Sequence, residues 1–89
     1  MDIKIQVGIN VRKARVRKGL SQDEAAFNAG LDRTYVGNLE RGKVNATIES
    51  LAGLASALDV AVKDFFNELP DGAELPDPLK GGRKPGSNR

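Results

Sequence analysis

Neither cysteine nor histidine occurs in the sequence. Without cysteine there is no disulfide staple, no thiolate metal site and no thiol nucleophile. Without histidine the commonest general base and the commonest zinc ligand are also gone. Catalysis would rest on carboxylates, lysines or hydroxyls, in a chain of 89 residues too small to bury a sizeable pocket. No enzyme activity, metal, cofactor or small-molecule ligand is therefore expected. No apolar run approaches the ~20 residues of a membrane span, and no signal-peptide core follows Met1. The expected location is cytoplasmic, with no membrane partner.

Charge is present in abundance and unevenly placed. The net charge is only +2. Yet residues 1–20 carry Lys4, Arg12, Lys13, Arg15, Arg17 and Lys18 against Asp2 alone. Residues 47–77 carry Glu49, Asp59, Asp64, Glu68, Asp71, Glu74 and Asp77 against Lys63 alone. A basic end and an acidic end on one small domain suit a one-sided nucleic-acid surface, although solvated helix faces give the same pattern.

The most informative stretch is residues 21–41, SQDEAAFNAGLDRTYVGNLER. Ser21 followed by Asp23 and Glu24 is an N-cap with acids at the positive end of a helix macrodipole. Gly30 supplies the left-handed backbone that ends this helix and turns the chain. Asp32 caps a second helix. At about 100° per residue, Tyr35, Val36 and Leu39 share a core-facing arc. Arg33, Thr34, Gly37, Asn38 and Arg41 fall on the opposite, polar side. Two helices joined by a tight glycine turn, the second with such a face, form the arrangement that lays a helix in the major groove of DNA.

Around this unit the chain reads as helical. Ile3, Ile5 and Val7 alternate, which suits either a strand-like arm or the lead-in to a helix. A basic helix spans residues 8–18, with Val7, Val11 and Ala14 on its inner face and Ile9 and Val16 outside that stripe. Gly19 closes it, with Leu20 packing back. Small Ala25, Ala26 and Ala29 allow close helix approach, and Phe27 is expected to cover a gap beside a neighbouring helix. Gly42 ends the helix that begins after Asp32. Thr47 caps a fourth helix with Ile48, Leu51, Leu54, Ala55 and Leu58 on its core face, and Asp59 stops it. A short last helix over residues 62–69 sends one of Phe65 and Phe66 into the core. The other, with Val60 and Val62, supplies an apolar patch for a twofold interface. The expected fold is all-α: five helices around one core in residues 1–69. A flexible, basic, Pro/Gly-rich tail follows in residues 70–89, marked by Pro70, Pro76, Pro78 and Pro85.

The stretch GLSQDEAAFNAGLDRTYVGNLERGKVNATIESLAGLASALDV resembles the lambda-repressor-like, Cro/C1-type helix-turn-helix domain of the XRE family. The likeness covers residues 7–66 and rests on Gly-Leu-Ser-Gln, the Ala26 and Gly30 spacing, Leu39-Glu40-Arg41-Gly42 and the Asn45, Thr47, Leu51, Ala57-Leu58 series. Leu31-Asp32-Arg33-Thr34-Tyr35 followed by Glu40-Arg41-Gly42 is more similar still to the controller proteins of restriction–modification systems. Ala14 and Ala25 stand where the family has larger aliphatic residues, Ala46 where it has proline, and Gly37 sits mid-helix. Those departures imply a small core in which Phe27 fills space.

The resemblance implies that Gln22, Arg33, Thr34 and Asn38 face base edges. It places Ser21, Tyr35, Arg41, Lys43 and Asn45 near phosphates, where side chains set register but read no sequence. Arg15 and Glu40 match an ion pair that holds the recognition helix. The implied function is sequence-specific binding of double-stranded DNA by a homodimer on an inverted repeat, as a repressor or dual regulator of nearby genes and its own. Asp23 and Glu24 lie where this superfamily's activators touch RNA polymerase, which joins the expected partners. An antitoxin or phage-type regulator on the same fold is one alternative. The other is an adaptor that binds another regulator, for which Ile9, Val16 and Phe66 are the surplus apolar residues.

Overall fold

The computed structural model describes residues 2–70. Four α-helices and one 3-10 turn follow one another: α1 (Ile3–Lys18), α2 (Gln22–Ala29), α3 (Arg33–Glu40), α4 (Ile48–Leu58) and the turn Val62–Phe66. No strand occurs among the described residues. The predicted tail, from residue 71 onward, lies outside them.

Each helix begins on a side chain that accepts a backbone N–H left over at its first turn. Asp2 serves Lys4, Ser21 serves Glu24, Asp32 serves Thr34 and Thr47 serves Ser50. Three helices end on a left-handed residue: Gly19, Gly30 and Asp59. At Gly30 the next amide, from Leu31, donates to the Ala26 carbonyl at 2.8 Å, which closes the turn between α2 and α3. Asp59 is the one non-glycine described residue with positive φ, at 62°.

The core joins Val7, Val11 and Ala14 of α1, Ala25 and Ala26 of α2, Val36 and Leu39 of α3, Leu51, Leu54, Ala55 and Leu58 of α4, and Phe65. Small residues let the backbones meet. A Cβ on Gly53 would stand 2.9 Å from the carbonyl oxygen of Ala29, so α4 lies directly on the end of α2.

Several expectations are corrected. Of the two readings of Ile3, Ile5 and Val7 the helical one holds: they are the first turn and a half of α1, set by the Asp2 cap, so α1 starts five residues earlier than predicted. Ile9 is buried while Val16 is exposed. The last element is a 3-10 turn ending at Phe66 rather than a helix reaching Leu69. Ile48, the first residue of α4, is 82% exposed because the core face begins only at Leu51. Phe27 is 85% exposed and fills no gap, since Ala25, Ala26 and Ala29 supply the inner face of α2. The phenylalanine pair divides as expected: Phe65 enters the core and Phe66 stays 44% exposed.

Amide side chains on α1 tie down the C-terminal end of the described chain. Gln6 Nε2 donates to the carbonyls of Phe66 and Asn67, and Asn10 Nδ2 to those of Phe65 and Asn67, all within 3.0 Å.

Candidate nucleic-acid interface

The orientation of α3 is set from beneath. A Cβ on Gly8 would lie 2.5 Å from the carbonyl oxygen of Leu39 and 2.7 Å from that of Glu40, so only glycine lets α1 come this close to the last turn of α3. One turn further along α1 and again beyond it, Arg15 reaches Glu40, whose side chain is 2% exposed. Arg15 Nε donates to Glu40 Oε2 at 2.6 Å and Nη2 to Oε1 at 3.0 Å, a bidentate pair of the kind that fixes geometry as well as charge. Arg15 Nη1 also donates to the Leu20 carbonyl at 2.9 Å, which ties the α1–α2 connection to the same anchor. The ion pair expected from the resemblance is thus present.

The outer surface carries the predicted contact residues. Arg33 and Thr34 open α3 and are exposed. Arg33 Nε lies 3.4 Å from Asp23 Oδ1, with both side chains more than 60% exposed, so water screens the pair and little holds the arginine there. Tyr35 is half-buried, and its hydroxyl accepts the Thr47 N–H at 3.4 Å. Lys43 and Asn45 are exposed on the loop after α3, and the Lys43 amide donates to the Asn38 carbonyl at 2.9 Å. Ser21 is committed to a capping box: its hydroxyl accepts the Glu24 N–H and the Glu24 carboxylate accepts its own N–H. Glu24 is therefore engaged locally, and Asp23 faces Arg33.

Three of the predicted residues are brought together. Arg41 Nη2 donates to Asn38 Oδ1. Gln22 Nε2 donates to Glu40 Oε1 at 3.0 Å. Both long side chains lie over Gly37: the Cβ it lacks would stand 3.4 Å from Gln22 Oε1 and 3.6 Å from Arg41 Nη1. Gly37 is therefore buried under polar side chains rather than open to solvent as the helical wheel suggests. The sequence pattern marks neither the close approach at Gly8 nor the link from Gln22 to Glu40. A single glycine in a basic helix and residues 18 positions apart carry no periodic signal.

An eight-residue helix is roughly 12 Å long, about the width of the major groove. Arg33 stands at one end of it and Arg41 and Lys43 at the other, with Gln22 and Asn38 between. Among the described residues, no group of three or more acidic, histidine or cysteine side chains is arranged to hold a metal ion. No described helix is long and apolar enough to cross a membrane.

A capped helix pair joined at a left-handed glycine, with the second helix presenting a polar, cationic face, defines a helix-turn-helix protein. Residues 11–65 match the family model described as helix-turn-helix, and the chain belongs to that family. Among relatives, a hypothetical transcription factor of Neisseria meningitidis is 43% identical over 60 residues, which cover 67% of this chain and 57% of that protein. The restriction–modification controller protein C.AhdI from Aeromonas hydrophila is 43% identical, with a TM-score of 0.69, over 71% of this chain and 96% of that one. The controller protein C.Esp1396I, solved as a tetramer in complex with its natural 35-base-pair operator, is 35% identical over 74% of this chain and 87% of that one, with a TM-score of 0.67.

Proposed function

We propose that the chain is a sequence-specific, DNA-binding transcription regulator that reads an inverted-repeat operator as a homodimer. In this reading the two α3 helices sit about one DNA turn apart in successive major grooves. The observation that carries it is the construction of α3: rigidly anchored underneath by Arg15 and Glu40, and lined outside with Arg33, Thr34, Asn38 and Arg41. Arginine at Arg33 can give a bidentate pair to guanine O6 and N7. Ser21, Tyr35, Lys43 and Asn45 flank the helix where phosphates would run, and Lys43 and Asn45 are exposed there. The similarity to a controller protein crystallised on its operator supports the same placement.

Control of nearby genes, including its own, by repression or by both repression and activation completes the proposal, in the cytoplasm. Phe66, half in solvent beside the buried Phe65, supports a second copy as partner. A contact with RNA polymerase at the exposed start of α2 falls to Asp23, because Glu24 is occupied by its cap. The adaptor alternative loses one of its three supports, since Ile9 is buried.

The test is binding of the purified protein to its own upstream DNA at two salt concentrations, beside Arg33→Ala. Specific binding should weaken with salt on a slope of about −0.9 per phosphate neutralised. Arg33→Ala should cost about 1–3 kcal/mol of discrimination against random DNA. Because Arg33 is 63% exposed, its folding stability should change by no more than about 0.5 kcal/mol. A wild type without preference for any upstream site over random DNA defeats the regulator reading.

A further inference from the structure

We propose that Glu40 fixes the polarity of the Gln22 amide, and so decides which base edge that side chain reads without touching DNA itself. The proposal rests on the DNA-binding function above. Glu40 is buried beneath α3, and its two oxygens receive three donors: Arg15 Nε on Oε2, and Arg15 Nη2 and Gln22 Nε2 on Oε1. A carboxylate held by a guanidinium offers acceptors only. Gln22 must therefore meet it through Nε2, and its Oε1 must point the other way, across Gly37. Flipping the amide would set two oxygens, Gln22 Oε1 and Glu40 Oε1, against each other.

An unrestrained glutamine presents either edge to a base and selects weakly. A polarised one presents an acceptor and its second N–H in a fixed order, which suits adenine: N6–H to Oε1, and the remaining N–H to N7. Arg15 already anchors α3 through Glu40, so the bond to Gln22 adds nothing needed to hold the helix. Its consequence is the order in which the amide's two ends face outward.

The experiment measures the full-length protein against its upstream operator with every base pair replaced in turn. Wild type, Gln22→Ala, Glu40→Gln and Arg33→Ala are compared. Gln22→Ala should abolish the preference for adenine at one base pair of each half-site, a loss of about five- to a hundredfold. Glu40→Gln, whose amide can meet Gln22 in either sense, should lose the preference at that same pair and keep the preference that Arg33→Ala removes. A Glu40→Gln variant that weakens all sites evenly, or keeps the Gln22 preference, overturns the proposal. So does a Gln22→Ala variant that loses no preference anywhere.

Should Glu40→Gln fail to fold, nuclear relaxation of the wild-type Gln22 side-chain amide decides alone. An amide as rigid as the α3 backbone is the expected result, and a freely reorienting one overturns the assignment. A wild type lacking any site preference removes the regulator reading and this proposal with it. An even loss in Glu40→Gln beside a selective wild type removes this proposal only.

Discussion

The two faces of α3 are built by opposite rules. On the inner face the helix touches α1 backbone to backbone at Gly8, and the nearby charge, Glu40, is buried and matched by a bidentate arginine. On the outer face the backbone is also bare, at Gly37, but it is covered only by the ends of flexible polar side chains. One glycine admits another helix, and the other leaves a floor on which Gln22 and Arg41 lie. The difference separates two tasks that a recognition helix has to combine. Its axis must not move, because a small shift misaligns every contact, while its surface must remain polar and accessible enough to be read.

The harshest way to break the inner face is Arg15→Ala. Glu40 would keep a single donor, from Gln22, while remaining out of water. Removing one partner of a buried ion pair costs about 3–5 kcal/mol, a large part of the stability of so small a domain. Urea unfolding should show that loss. The sharper form is the double change Arg15→Met with Glu40→Leu, which removes both charges and should recover most of it. A single variant that unfolds at the wild-type midpoint would mean that the pair anchors nothing.

Gly8→Ala attacks the same face without touching charge. The added methyl would meet two backbone carbonyl oxygens at 2.5 and 2.7 Å, and backbone cannot rotate away as a side chain can. Overpacking of this kind costs about 1–3 kcal/mol, against a gain of up to about 1 kcal/mol from replacing a mid-helix glycine. Net destabilisation by about 1–2 kcal/mol is expected in the same unfolding assay. DNA affinity should fall with it, because α3 must tilt to make room.

Much of this contrast is legible in the sequence, and the illegible part has a physical cause. Ser21, Asp32, Thr47, Gly30 and Asp59 mark helix ends because caps and left-handed stops are local chemistry, and all five do what their residue types predict. Val36, Leu39, Leu51 and Leu58 are core because periodicity reports burial within a helix. Periodicity fails where a neighbour decides. Ile48 has the right phase for the core but precedes the first turn that α4 packs, and Phe27 lies on the side of α2 that no helix covers. Ile9 is buried outside the predicted stripe, on a helix that packs against both α3 and the 3-10 turn. In the site, the Arg15–Glu40 pair came from the family likeness. The seat of Gln22 and Arg41 on Gly37 needs α2 and α3 both in place and has no trace in either alone.

The smallest effect, and the one of opposite sign, belongs to Gly37→Ala. Its new methyl would stand 3.4 Å from Gln22 Oε1, and 3.6 and 3.9 Å from the two terminal nitrogens of Arg41. These are ordinary van der Waals distances, and both neighbours are the ends of flexible chains. Nothing resists the methyl, so the helix-propensity term dominates. Alanine should stabilise the fold by up to about 1 kcal/mol, a rise of several degrees in Tm for a domain of this size. Gln22 and Arg41 keep their seats in ordinary contact with that methyl, so discrimination between operator variants should be kept while the protein gains stability. A variant that gains stability but loses discrimination would show that the bare backbone at Gly37 is itself needed to seat Gln22 and Arg41. One that loses stability would show that the outer face is packed as tightly as the inner, and the contrast between the two glycines would disappear.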